Sequence, residues 1–130
     1  KAIKAAKKVS GKTKLIGVTI LTSLDNKSLK EIGFDKNVKK IVLNQAKLAA
    51  KARLDAIVCS PQEIKIVKKV FKKEIITPGI RLVGDSKGDQ KRTMSPKQAL
   101  RYGATALVMG RSLTNGNIKQ NIQKLIKELG

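Results

Sequence analysis

Short apolar, β-rich runs alternate with helical segments along this 130-residue chain, and that rhythm is the strongest constraint on its fold. The runs are residues 15–21 (LIGVTIL), 55–59 (DAIVC), 74–77 (EIIT) and 106–109 (ALVM). Each is continuously apolar rather than strictly alternating, as expected of strands covered on both faces in a parallel sheet. The segments between them carry helix signals. Ser60-Pro61-Gln62-Glu63 supplies a capping Ser, a Pro at the first helical position and a Glu able to close a capping box, followed by Ile64, Val67 and Phe71 at helical spacing. Ser95-Pro96-Lys97-Gln98 repeats the device, and Gly103 supplies the stop after Tyr102. Val38, Ile41, Val42, Gln45, Leu48, Ala49 and Ala52 form one amphipathic face between the first two strands. Ile118, Ile122, Leu125, Ile126 and Leu129 form another on the last helix, and residues 1–8 read as the end of an earlier one. Strands and helices in strict alternation mean βαβ units with right-handed crossovers. Two architectures satisfy this order: a small doubly wound sheet, or half of a (β/α)8 barrel, whose full length is ~250 residues.

Composition narrows the class. A hydrophobic content of 41% suits one folded domain rather than a disordered chain. No apolar run approaches the ~18 residues of a membrane span, and nothing resembles a secretory leader. Cys59 is the single cysteine and His is absent, so an intrachain disulfide and the usual zinc-ligand sets are ruled out. A reducing, cytoplasmic setting fits. The first residue is Lys1 rather than Met, which suggests a fragment.

Lys and Arg number 29 against 9 Asp and Glu, a net charge of +20 that invites a nucleic-acid reading. The details weaken it. Only Arg53, Arg81, Arg92, Arg101 and Arg111 are arginines, whereas bidentate recognition favours Arg over Lys. Lys65, Lys68, Lys69, Lys72 and Lys73 read as a solvated helix face, and Phe34, Phe71 and Tyr102 are too few aromatics for base stacking.

The chemistry of either fold gathers at the carboxyl ends of its strands. There stand Thr22-Ser23, Ser60-Pro61, Pro78-Gly79-Ile80-Arg81 and Gly110-Arg111-Ser112. Gly110 lets the backbone approach an anion closely, and Arg111 offers a planar fork of donors to its oxygens. A tight turn with a surface Arg explains that pair equally well, and Pro78-Gly79 is also satisfied by a simple turn. The third loop, residues 81–94, is long enough to be a lid or binding loop. Ser60 reads as a helix cap, since Pro61 and Glu63 account for it. Cys59 has no His partner and reads as a core thiol. Asp85 and Asp89 suggest a carboxylate pair, but a solvated loop explains them as well.

The runs GVTILTSLD, LDAIVCSPQE and ITPGIRLVGDSKGDQKRTMSPKQALRYGATALVMGRSLT, in that order, resemble the carboxyl half of orotidine 5′-phosphate decarboxylase. The similarity extends from about Leu15 to the end. It implies an α/β fold, a (β/α)8 TIM barrel of which residues 1–130 would supply the last four βα units of a single domain. It also implies a carbon–carbon lyase of pyrimidine synthesis, converting orotidine 5′-phosphate to uridine 5′-monophosphate without metal or organic cofactor. By that resemblance Thr22 and Ser23 would sit by the nucleotide, with Ser23 hydrogen-bonded to the pyrimidine. Pro78 would wall the pocket near the departing carboxylate, and Arg81 matches the Arg of the TPGIR motif. Gln90 would reach pyrimidine and phosphate, while Gly110 and Arg111 would hold the phosphate. Residues 82–92 would form the closing lid. The family's Lys–Asp array on a DxKxxDI motif is missing from this chain, so no catalytic residue is expected in it and the chain alone is expected to be inactive. The complete protein is expected to be a homodimer. A sugar-phosphate synthase or epimerase barrel would share the Gly-Arg turn, and a non-catalytic basic nucleic-acid binder is the remaining alternative; Gln90 with Thr22-Ser23 favours the decarboxylase.

Overall fold

A computed structural model describes residues 1–86, 88 and 90–130. In chain order the elements are α1 (Ala2–Val9), β1 (Ile16–Val18), α2 (Asn26–Glu31), α3 (Val38–Lys51), β2 (Ala56–Val58), a 3-10 turn (Pro61–Glu63), α4 (Ile64–Val70), β3 (Glu74–Thr77), α5 (Pro96–Tyr102), β4 (Ala106–Leu107), α6 (Arg111–Thr114) and α7 (Ile118–Leu129). The four strands pair in parallel in the order β1-β2-β3-β4. All four expected runs hold strands, although the first is shorter than the apolar run that predicts it. Beyond Val18 the chain leaves the ladder gradually, with the Thr19 amide and hydroxyl both donating to Val58 O at 3.1 and 2.8 Å.

The helices cover one face of this sheet and the other is open along β1, against the expectation of two covered faces, although Ala56 beside Ile16 is buried. Register places Gly17, Ile57 and Ile75 on the helix side, where Ile57 and Ile75 are fully buried. At Gly17 a Cβ would stand 2.7 Å from Leu54 Cδ1, so a larger residue there would have to push the buried Leu54 side chain aside. Their neighbours face the other way, and there Ile16 is 51% and Val18 62% exposed. The unbroken apolar character of β1 therefore reports a face that the described residues leave open.

The helical layer holds the core. Leu29, Val42, Ala46, Ile64 and Val67 are fully buried, and Phe71 nearly so, as the spacing behind Ser60 requires. Ser60 accepts from the Gln62 amide and Ser95 from the Gln98 amide, and Gly103 closes α5 in the left-handed conformation at φ 111°. Helix α2 goes beyond the sequence expectation. Its signal is Asp25, whose carboxylate accepts from the Ser28 amide at 2.9 Å and caps the turn that buries Leu29. On α3 the expected Val38, Ile41, Val42 and Ala49 are buried, but Ala46 completes the stripe while Leu48 is 60% exposed, a slight rotation from the expected face. On α7 the apolar stripe is present but open, with Ile118, Ile122 and Ile126 all exposed.

Helix α1 buries no residue and is tied down by charge instead. Lys7 Nζ donates to Asp55 Oδ2 at 2.6 Å, and the same carboxylate accepts from the Leu15 amide at 2.8 Å. These two donors, Lys7 first, push the Asp55 carboxyl down to about 2.

Candidate functional site

The loops leaving β1, β2 and β3 meet at the carboxyl end of the sheet, and the residues at the centre of that meeting are Gln90, Lys91 and Arg92. Gln90 Oε1 accepts a short hydrogen bond from Thr22 Oγ1. Lys91 Nζ donates to Asp25 Oδ2 at 2.8 Å and Ser28 Oγ at 3.2 Å, and it holds the Asp25 carboxyl well below the ordinary carboxylate range. Arg92 Nη1 pairs with Glu63 Oε2 at 2.5 Å, while its Nη2 donates to Leu21 O at 2.7 Å and Ile20 O at 3.1 Å. Both ions are buried, Arg92 at 6% and Glu63 at 1% exposure. Glu63 is thus spent on Arg92, where the sequence suggests a capping box. The expected lid over residues 82–92 is likewise anchored at both ends, because Leu82 is buried too.

Residues 78–81 form the floor beneath this strap. Gly79 adopts φ 79°, and a Cβ there would stand 3.0 Å from Arg92 O and 3.3 Å from Thr22 Cγ2. Side chains at such a φ are strained, and here one would also press on the Arg92 carbonyl. Across the loop's base Arg81 N donates to Met94 O at 3.1 Å and Met94 N to Gly79 O at 3.3 Å, closing it with a parallel bridge between Ile80 and Met94. Thr77, fully buried, brings the chain into this turn, and Pro78 is half-buried beside it.

On the other side of the loop lies a polar pocket of about 260 Å³ between Arg81, Asp85 and Gly88 and the residues Arg111, Ser112 and Asn121. The Arg111 guanidinium lies against the loop, its Nη1 3.0 Å from where a Cβ on Gly88 would be. Arg81 turns its own guanidinium back, donating Nη1 to Ile80 O at 2.9 Å. Asn121 fastens α7 to α6 by donating both amide hydrogens, to Leu113 O at 3.1 Å and Asn115 O at 2.7 Å. Gly110 leads into α6 with open space on its Cα side. Among the described residues, Ser112 Oγ is buried in this pocket's wall without a hydrogen-bond partner.

The sequence-predicted residues therefore fall into two groups. Thr22 and Gln90 are joined directly, with Pro78 on the adjacent turn; Arg81 and Arg111 share the pocket. Ser23 is half-buried next to Thr22. Of the suggested carboxylate pair, Asp85 is exposed and Asp89 lies outside the described residues. Cys59 is a buried thiol, pushed up to about 12 chiefly by burial. Glu63, Arg92, Lys91 and Asp25 are the residues missed. Their signal is faint, since a Glu after a helix cap and basic residues in a loop have ordinary explanations.

A parallel βα sheet with basic and amide side chains gathered at its carboxyl end is the layout of a βα-barrel enzyme's ligand-binding half. The chain belongs to the orotidine 5′-phosphate decarboxylase / HUMPS family, whose family model matches residues 1–124. The orotidine 5′-phosphate decarboxylase of Coxiella burnetii (strain RSA 493 / Nine Mile phase I) is 51% identical over 102 residues, 77% of this chain and 43% of that protein. That of Wolbachia sp. subsp. Brugia malayi is 49% identical over 117 residues, 88% of this chain and 52% of that protein. The chain thus spans about half the length of the curated relatives it matches. The crystal structure of the Lactobacillus acidophilus decarboxylase superposes with a TM-score of 0.75 at 29% identity, over 98% of this chain and 58% of that one. The Methanocaldococcus jannaschii structure, at 22% identity and a TM-score of 0.68, shares the fold over 99% of this chain and 56% of its own. The fold is α/β, a partial barrel, and these relatives lend no support to a sugar-phosphate synthase or a nucleic-acid binder. Among the described residues no helix is long and apolar enough to cross a membrane.

Proposed function

We propose that residues 1–130 are the carboxyl-terminal half of an orotidine 5′-phosphate decarboxylase barrel, working in the cytoplasm, and that they bind the nucleotide while the chemistry resides on earlier strands. The observation that carries this reading is the convergence of Thr22, Gln90, Arg81 and Arg111 at one end of the sheet, in a chain of that family. Arg111 and Gly110 take the 5′-phosphate, Arg111 as a charge-assisted donor. Gln90, held against Thr22, bonds both ring and phosphate in this reading; Ser23 bonds the pyrimidine and Pro78 walls its carboxylate side. Arg81 shapes the phosphate end. The family's Lys–Asp array, which protonates the ring carbon as the carbon–carbon bond to CO₂ breaks, matches no D-x-K-x-x-D run in this chain. In the complete protein a second subunit is expected to form a homodimer.

Grip without the proton donor stabilises substrate and transition state about equally, which does not speed the chemical step. The 130-residue chain is therefore expected to show no turnover in the ultraviolet assay of orotidine 5′-phosphate. Adding an amino-terminal half that carries the DxKxxDI motif is expected to restore turnover. Robust turnover by the chain alone would overturn this division of labour.

A further inference from the structure

We propose that Arg92 is a positioning residue for the nucleotide-binding loops: through its buried pair with Glu63 it locks the loops after β1, β2 and β3 into one unit and so holds Gln90 against Thr22. The inference rests on the decarboxylase reading for its functional consequence, although the locking itself does not. Arg92 stands in the loop after β3, and its guanidinium reaches the two other loops. Nη1 meets Glu63, which follows β2, and Nη2 meets the carbonyls of Ile20 and Leu21, which follow β1. Its own carbonyl lies where a Cβ on Gly79, after β3, would be only 3.0 Å away. Gln90 is two residues from this knot and Thr22 one residue from Leu21, so the knot sets the distance between them. Neither charge has water to fall back on, and a buried ion whose partner is removed is strongly penalised. A planar fork is required, since a single ammonium does not span a carboxylate and two diverging carbonyls at once. The loop beyond it, through the exposed residues 83–86, is thereby divided from a fixed segment at 90–92.

The test uses the complete enzyme that carries this chain, with the double replacement Arg92→Met/Glu63→Leu, which fills the space without leaving a buried charge. The expected result is a near-native melting temperature, a tenfold or greater loss of kcat/KM for orotidine 5′-phosphate borne largely by KM, and a lost effect of Gln90→Ala. Added to the double variant, Gln90→Ala should cost less than twofold, while in the unmodified enzyme it costs much more. Arg92→Lys covers the case in which the double variant does not fold; it should fold, lose kcat/KM severalfold, and show faster amide exchange at residues 20–25 and 90–92. A kcat/KM within twofold of the unmodified enzyme in the folded variants, or a full Gln90→Ala cost in both backgrounds, would overturn the proposal. If the unmodified enzyme neither turns over the substrate nor binds uridine 5′-monophosphate, the decarboxylase reading fails instead. Amide exchange in Arg92→Lys then still decides the locking: unchanged exchange at 20–25 and 90–92 refutes it.

Discussion

Arg111 and Gly79 mark the two kinds of demand that single residues meet at this site. Arg111 faces the polar pocket with a fixed charge, and charge-assisted bidentate contacts are among the stronger hydrogen bonds. Arg111→Ala is expected to cost about 2–4 kcal/mol in transition-state binding, roughly thirtyfold to several hundredfold in kcat/KM of the complete enzyme. A change within twofold would remove it from phosphate recognition. Gly79 is needed for its backbone. At φ 79°, with Arg92 O 3.0 Å from any Cβ, Gly79→Ala combines strain with a clash. It is expected to lower unfolding free energy by about 1–3 kcal/mol, measured by urea titration.

Among the elements, α1 depends most on protonation state. It has no buried side chain, and its strongest tie is Lys7 to Asp55, at 2.6 Å. Because folding lowers the Asp55 carboxyl to about 2 from 3.8, its stabilising effect is fully present above the unfolded value and is lost as pH falls through the folded one. Amide protection in α1 is therefore expected to fall between about pH 4 and pH 2, and Asp55→Asn is expected to abolish that dependence while leaving the core helices protected. Protection of α1 that ignores both changes would mean that packing, not charge, holds it. The strap at residues 90–92 has the opposite character. It lies in a loop, yet its anchor is among the least exposed charge pairs of the molecule.

At the scale of the whole molecule the chain combines a well-filled helical layer with surfaces that a closed barrel would cover. Ile16 and Val18 on the sheet, and Ile118, Ile122 and Ile126 on α7, stand exposed, and β1 and β4 are both open edges. Exposed apolar patches and unpaired edges favour association. The isolated chain is thus expected to bind a hydrophobic dye and to melt at a temperature that varies with protein concentration, despite its +20 charge. A sharp melt independent of concentration, without dye binding, would show that the four-stranded layer is sufficient by itself.

What the sequence determined alone is the order of the four strands and the main helices between them, because it is written in local signals. Apolar runs, Ser-Pro caps and Gly103 act over a few residues, and each recurs in the structure at its expected place. The family motifs were legible for the same reason, as Gly110-Arg111 and the run from Pro78 to Arg81 are contiguous. The tertiary structure alone decided which faces are buried and which loops are joined. Leu48 and Ala46 differ in burial by the rotation of one helix, and β1's apolar side is bare because burial depends on neighbours far away in the chain. Glu63 and Arg92 are 29 residues apart and Thr22 and Gln90 are 68 apart. No local preference distinguishes a capping Glu from one that awaits an arginine. Only the convergence of parallel strands at one end of the sheet brings such residues within hydrogen-bonding distance.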